Sequence, residues 1–151
     1  MNKFSRVEHL TPYDTDYHQW TVEQGRLLRD GKLNLLDREN LAEEIESSGR
    51  SEKREIESRL AVLLLHLLKW KYQSEKRKSG WEASIKVQRD RLKKALNKNP
   101  SLKNYPAEEL ITVYREARVD AEKETGLDFE TFPEDCPFSI GDILDDGFLP
   151  G

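Results

Sequence analysis

Cysteine is almost missing from the 151 residues: Cys136 stands alone. No disulfide can therefore close within the chain, and neither a thiolate zinc site nor a Cys-x-x-Cys redox pair is available. Long apolar runs are also lacking. The longest, LAVLLLHLL at 60–68, is broken by His66, too short to cross a bilayer. The opening residues, MNKFSRVEHLTPYDTD, contain no apolar core of the kind a secretory signal requires. A soluble, reducing, cytoplasmic setting without membrane attachment is the expectation. No stretch alternates apolar and polar residues for the length of a useful strand. Glycine-rich phosphate loops, the GxSxG elbow, HExxH and paired ExxH motifs are absent as well, which removes the usual signatures of nucleotide binding, serine hydrolysis, zinc proteolysis and di-iron chemistry. There is no internal repeat and no low-complexity linker.

What is present is charge. Charged residues make up 36% of the chain and hydrophobic residues another 36%, with a net charge of −4 and a pI near 5.5. That balance suits amphipathic helices with solvated outer faces, and it argues against a dedicated nucleic-acid binder, whose domain is usually strongly basic.

Helical spacing recurs in four places. Asp14 or Thr15 is positioned to cap a first helix carrying Tyr17, Trp20, Leu27 and Leu28 and ending near Asp30-Gly31. Asp37 suits the start of a second. There Leu41, Ile45, Ile56, Leu60, Leu63, Leu67 and Trp70 stay in phase, Ile45 and Ile56 lying about 20° apart around a continuous helix. One long helix over 38–72 is predicted, with Gly49 on its apolar seam as a site of close helix approach or, alternatively, of helix termination. SGWE offers a capping box, Ser79 with Glu82, for a third helix bearing Trp81, Ile85, Gln88, Leu92 and Leu96. Pro106 suits the first turn of a fourth, with Leu110, Val113, Tyr114, Ala117 and Ala121 on one face and Gly126 beyond its end. The tail keeps Phe129, Phe132, Phe138, Ile143, Leu144 and Phe148, which need burial, so it is expected to wrap the bundle with a short helix near 139–145. The predicted fold is all-α: a single-domain bundle of about four main helices around one long central helix, with the C-terminal tail packed on it. Residues 1–12 form a flexible extension in this reading and 13–151 the domain.

His66 and Lys69 interrupt the most apolar run, yet on a helical wheel they do not puncture the core. From Trp70 through Leu67, Leu64 and Leu68 to Leu65 the apolar arc spans about 220°. His66 and Lys69 fall in the gap, on a polar stripe that includes Glu44, Ser48, Ser51, Glu55 and Ser58 and is extended by Gln73. A hydrogen-bonded histidine and a solvated or ion-paired lysine follow, against the sharper alternative of a general base or metal ligand. Glu44, His66, Lys69 and Gln73 are the candidate polar site. Glu44 precedes His66 by 22 residues, roughly 33 Å along a straight helix, so the two can meet only if Gly49 breaks the helix into a hairpin. The acids of EEIE at 43–46 point in different directions and read as a solvated face near a helix N-terminus. No catalytic residue, cofactor or metal ligand is assigned.

Charge is segregated. Residues 69–98 hold 11 basic and 3 acidic groups, a net +8, whereas 106–151 hold 3 and 13, a net −10. A nucleic-acid surface with Trp70, Tyr72 and Trp81 stacking on bases is one reading. The favoured one lays the basic third helix against the acidic fourth helix and tail, or against a second copy. Cys136, among acids in EDCPF, is expected to have a raised pKa and to act as a small buried apolar group.

The ordered phrases YDTDYHQWTVEQGRLLRDG, LDRENLAEEIESSGRSEKREIESRL, LLLHLLKWKYQSEKRKSGW and FPEDCPFSIGDILDDGFLP, spanning residues 13–150, resemble the domain of unknown function family 29. Asp14, Asp16, Trp20, Asn40, Glu43, Glu44, Gly49, His66, Lys69, Trp70, Tyr72, Gln73, Trp81 and Gln88 match its pattern, while Pro106 falls in a stretch that is more continuously helical in relatives. The resemblance implies a small all-helical bacterial protein and transfers no substrate, cofactor or catalytic residue. The resulting functional expectation is an interaction module, self-associating as a dimer or meeting a protein partner through the long helix. An enzyme with a polar site around His66 is the alternative, and nucleic-acid binding through 69–98 the second.

Overall fold

The computed structural model describes residues 9–151, and every regular element among them is helical. The α-helices are α1 (Tyr17–Arg29), α2 (Arg38–Tyr72), α3 (Ser79–Lys98), α4 (Tyr105–Thr125) and α5 (Ile140–Leu144), with single 3₁₀ turns at Leu33–Leu35, Ser74–Lys76, Pro100–Leu102 and Phe129–Thr131. The expected all-α bundle with a packed tail is what forms. Of the extension expected at 1–12, residues 1–8 lie outside the described residues. Backbone contacts divide the chain into two compact units, with the division between Gly49 and Arg50, inside α2. α2 is nevertheless helical throughout, so the termination at Gly49 allowed by the sequence does not occur.

In the first unit, α1 is capped by Asp16, whose Oδ1 accepts from the Gln19 amide at 3.0 Å, and not by Asp14 or Thr15. A turn closed by the Thr15 amide on the Pro12 carbonyl, 3.0 Å, leaves Asp16 as the extended residue that an N-cap requires. At the other end Gly31 takes a left-handed φ of 71°. Its amide and that of Lys32 return to the carbonyls of Leu28 and Leu27, a Schellman motif. Trp20, Gln24 and Leu27 are buried. Gln24 and Trp20 converge on Asp37: the Gln24 Oε1 accepts from the Asp37 amide at 2.8 Å, and the Trp20 indole donates to Oδ2 at 3.0 Å. Asp37 then starts α2 as expected, its carbonyl accepting from the Leu41 amide at 2.9 Å.

In the second unit one core joins four segments. Ile56, Leu60, Leu63, Leu64, Leu67 and Leu68 of α2 meet Ile85 and Leu92 of α3, Val113, Tyr114, Ala117 and Ala121 of α4, and Phe132, Phe138 and Ile143 of the tail. α4 carries Pro106 in its first turn and ends on Gly126 at φ 70°, as its sequence predicts. α3 departs from expectation in two ways. Its N-cap is Lys78, so Ser79 is already inside the helix and the Ser79–Glu82 box does not form. Its inward face bears Arg89 between Ile85 and Leu92, while Gln88 is only half-buried.

Arg89 and Arg118 explain how the tail is held. The tail has little regular structure, so its buried carbonyls need partners from elsewhere. Arg89 donates from Nε to Ile143 O at 2.8 Å, from Nη2 to Phe148 O at 3.0 Å and from Nη1 to Asp146 O at 3.4 Å. Arg118 donates to Phe132 O at 3.0 Å and Phe129 O at 3.5 Å, its guanidinium 3.8 Å from the centre of the Phe129 ring. The Tyr114 hydroxyl donates to the Pro133 carbonyl beside them. Because Arg89→Met strands three carbonyls, it is expected to lower unfolding free energy by about 3 kcal/mol in urea titrations. Arg89→Lys should recover less than half of the loss, an ammonium being unable to present the planar fork.

Candidate functional site

Glu44 lies in the first unit and is held there by two hydroxyls. Tyr13 donates to Oε1 and Tyr17 to Oε2, the latter at 2.8 Å. The two tyrosines and Trp20 form a ring trio, with Tyr13 edge-on to Trp20 at 4.9 Å and Tyr17 stacked on it at 5.9 Å. The hydrogen bond from Tyr13, followed by that from Tyr17, holds the Glu44 carboxyl below its ordinary range. The same carboxylate pushes Tyr13 up to about 12. At neutral pH this is a charged acceptor between two protonated phenols. The solvated acidic face expected at 43–46 thus describes Glu43 and Glu46, which are exposed, but not half-buried Glu44.

The other candidate residues belong to the second unit, and each has a different neighbour. His66 is half-buried with Nδ1 2.8 Å from the carbonyl of Val62, one turn back; a carbonyl only accepts, so the ring donates from Nδ1. Lys69 reaches Glu124 at 3.1 Å and lies 5.0 Å from the centre of the Trp81 ring. Gln73 is buried at 5% exposure and does not continue the polar stripe. α2 ends at Tyr72, and the backbone of Gln73 turns away with φ −129° and ψ 53°, where the wheel no longer applies. Since α2 runs unbroken through Gly49, the hairpin needed to bring Glu44 to His66 is not formed.

The basic segment is engaged from within. Lys93 pairs with Asp146 at 3.0 Å and Lys98 with Glu52 at 2.6 Å. The aromatic rings considered for base stacking already carry cations: the Arg77 guanidinium is 4.7 Å from the centre of Trp70, and Lys69 covers Trp81. A cleft of about 450 Å³ opens beside Arg89, bordered by Glu82, Lys86, Asp90, Asp146 and Leu149. Its lining carries charges of both signs, and the Arg89 donors are committed to tail carbonyls. No group of three or more His, Cys, Asp or Glu side chains suited to a metal occurs among the described residues. Cys136 is half-buried, and burial, not the neighbouring acids, pushes its thiol up, against the opposing contact to the Phe138 carbonyl at 3.4 Å. No helix among the described residues is long and apolar enough to cross a membrane.

On the first half of α2, Ile45 is 72% exposed, Leu41 is half-buried, and a Cβ added to Gly49 would meet nothing within 4 Å.

An all-α bundle with its polar groups tied into internal contacts is the class of protein defined here. The family model described as Domain of unknown function DUF29 matches residues 12–149, and the chain belongs to that family. Compared with curated proteins and with solved structures, the chain matches none.

Three carboxyls of the first unit lie below their ordinary range: Glu23 through the Thr11 amide, Asp37 through the Asn40 side chain and Glu44 through Tyr13. The unfolded chain therefore binds protons more readily than the folded one. The stability these groups contribute is present above about pH 5 and disappears as pH falls through about 4 and below. Following Trp20 emission in a Trp70→Phe/Trp81→Phe chain, Tyr13→Phe/Tyr17→Phe should lower the urea midpoint at pH 7, and the difference from the parent should shrink toward zero by about pH 3.

Proposed function

We propose that the chain is a non-catalytic, cytoplasmic interaction module of bacteria that associates with a second copy of itself, most simply as a dimer. The observation that carries this reading is Ile45, a large aliphatic side chain 72% exposed in the first half of a 35-residue helix. Aliphatic groups left in water on a regular helix face gain free energy when another apolar surface covers them. Leu41 and Gly49 continue the line one turn to either side of it.

The polar candidates support the same conclusion by their engagement. Glu44 accepts from two phenols, His66 faces a carbonyl of its own helix, and Lys69 holds Glu124. Catalysis would need such groups to converge on a shared pocket. Base stacking would need the Trp70 and Trp81 faces released from Arg77 and Lys69.

Sedimentation equilibrium at micromolar concentration is the direct test. A mass near twice 17.7 kDa is expected, and a strict monomer up to the highest soluble concentration would falsify the proposal. His66→Ala should leave that mass unchanged and cost less than about 1 kcal/mol in urea unfolding, since the ring bonds a carbonyl already placed in the helix ladder.

A further inference from the structure

Gly49 is an unexplained residue in α2. Glycine is the poorest ordinary helix former, and this one sits at an interior position with a space for a Cβ on every side. Nothing among the described residues calls for a missing side chain there.

The register of the helix supplies a reason. At about 100° per residue, Arg38, Leu41, Ala42, Ser48, Gly49 and Glu52 all fall within about 60° of Ile45. We infer that two copies pair antiparallel along this face, about a two-fold axis at Ile45, with Leu41 of each copy seated over Gly49 of the other. The inference rests on the self-association proposed above and specifies its surface.

In an antiparallel pair centred on Ile45, partners stand at equal distances on opposite sides of that residue. Ile45 then meets its own copy, and Ala42 meets Ser48. Leu41 meets the one position without a side chain, so the large group is matched with a hole. Charge agrees with size. Arg38 is placed opposite Glu52 on the seam. Glu52 already accepts from Lys98 at 2.6 Å and Asn99 at 3.0 Å, and a carboxylate has lone pairs for a further donor. Glu46, the exposed acid nearest the axis, stands about 100° from the seam centre, at the solvated rim. A parallel pair would instead set Arg38 against Arg38, Glu52 against Glu52 and the two glycines against each other, leaving Leu41 without its recess.

Cross-linking tests the axis. In a Cys136→Ser background, Ile45→Cys is expected to oxidise to a covalent dimer on the order of tenfold faster than Leu33→Cys, a control at a position 62% exposed. Gly49→Leu, which fills the recess and whose Cβ meets nothing within 4 Å among the described residues, is expected to weaken the dimer at least about tenfold while helical circular dichroism is retained. If the parent is a dimer but Ile45→Cys links no faster than Leu33→Cys, or Gly49→Leu dimerises as well as the parent, this pairing is wrong and self-association occurs through another surface. If the parent is monomeric throughout, the functional reading falls together with it.

Discussion

Two guanidinium groups make the irregular end of this chain compatible with a dry core. The 25 residues after Gly126 contain one 3₁₀ turn and a five-residue helix, yet they bury Phe132, Phe138 and Ile143. Each such side chain gains roughly 2 kcal/mol on leaving water, but only if the carbonyls drawn in with it find donors. Arg89 and Arg118 provide them, from adjacent elements, to Ile143, Phe148, Phe132 and Phe129. Arginine suits the task because it offers five donors in one rigid plane and keeps its proton under burial. Burial does push the Arg89 pKa down, with Asp146, Asp145 and Asp90 opposing the shift, but the group begins so far above neutrality that it stays charged. The tail is therefore a covering layer whose packing and polar satisfaction depend on the same two side chains.

This changes the meaning of the charge segregation. A net +8 segment followed by a −10 segment invites a picture of carboxylates strapped across ammonium groups. The neighbours are as that picture has them, and the atoms are not. The strong contacts run from guanidinium to peptide carbonyl, while the side-chain pairs are exposed. Glu130, 3.7 Å from Arg118, is 84% exposed, and Asp146, which meets Lys93, is 69% exposed. Pairs in that setting are screened and contribute little. Sequence charge located the tail's docking partner through a correlated feature, since the basic helix that holds Lys93 also holds Arg89.

The legible parts of the molecule are those decided locally. α2, α4 and the end of α1 follow from apolar spacing, from Pro106 in a first turn and from glycines at 31 and 126, all of which act within a few residues. Where a competing local contact was hidden, the boundary moved: the Pro12–Thr15 turn passed the cap to Asp16, and Lys78 took the cap from Ser79. Arg89 was missed for another reason. Periodicity places Ile85 and Leu92 on one face and Arg89 between them, but a charged residue in an apolar line reads as an interruption until its carbonyl partners, 54 to 59 residues away, are known. The candidate site shows the same divide. His66 bonds four residues back and its benign reading was available from the wheel, whereas Glu44 depends on tyrosines 27 and 31 positions earlier. The spacing of Tyr13 and Tyr17 in YDTDY was the one available trace of that pairing.

α2 also separates what the fold consumes from what it leaves over. Along Ile56, Leu60, Leu63, Leu64, Leu67 and Leu68 its apolar face is spent on the chain's own core, and every one of these side chains is at or near zero exposure. Its earlier turns carry the same periodicity in a thinner form, with small or charged residues where the later turns have leucines. A helix of this length is not required to close a small core, and a face that merely faced water would gain nothing from isoleucine at 45 or glycine at 49. The in-phase continuation of the seam, with Ile45 only about 20° from Ile56, means that one apolar pattern runs through both halves of α2. The later turns are covered by the chain's own core, while Ile45 stands 72% exposed. Under the proposed self-association, that earlier stretch is the part of the pattern left for a second copy.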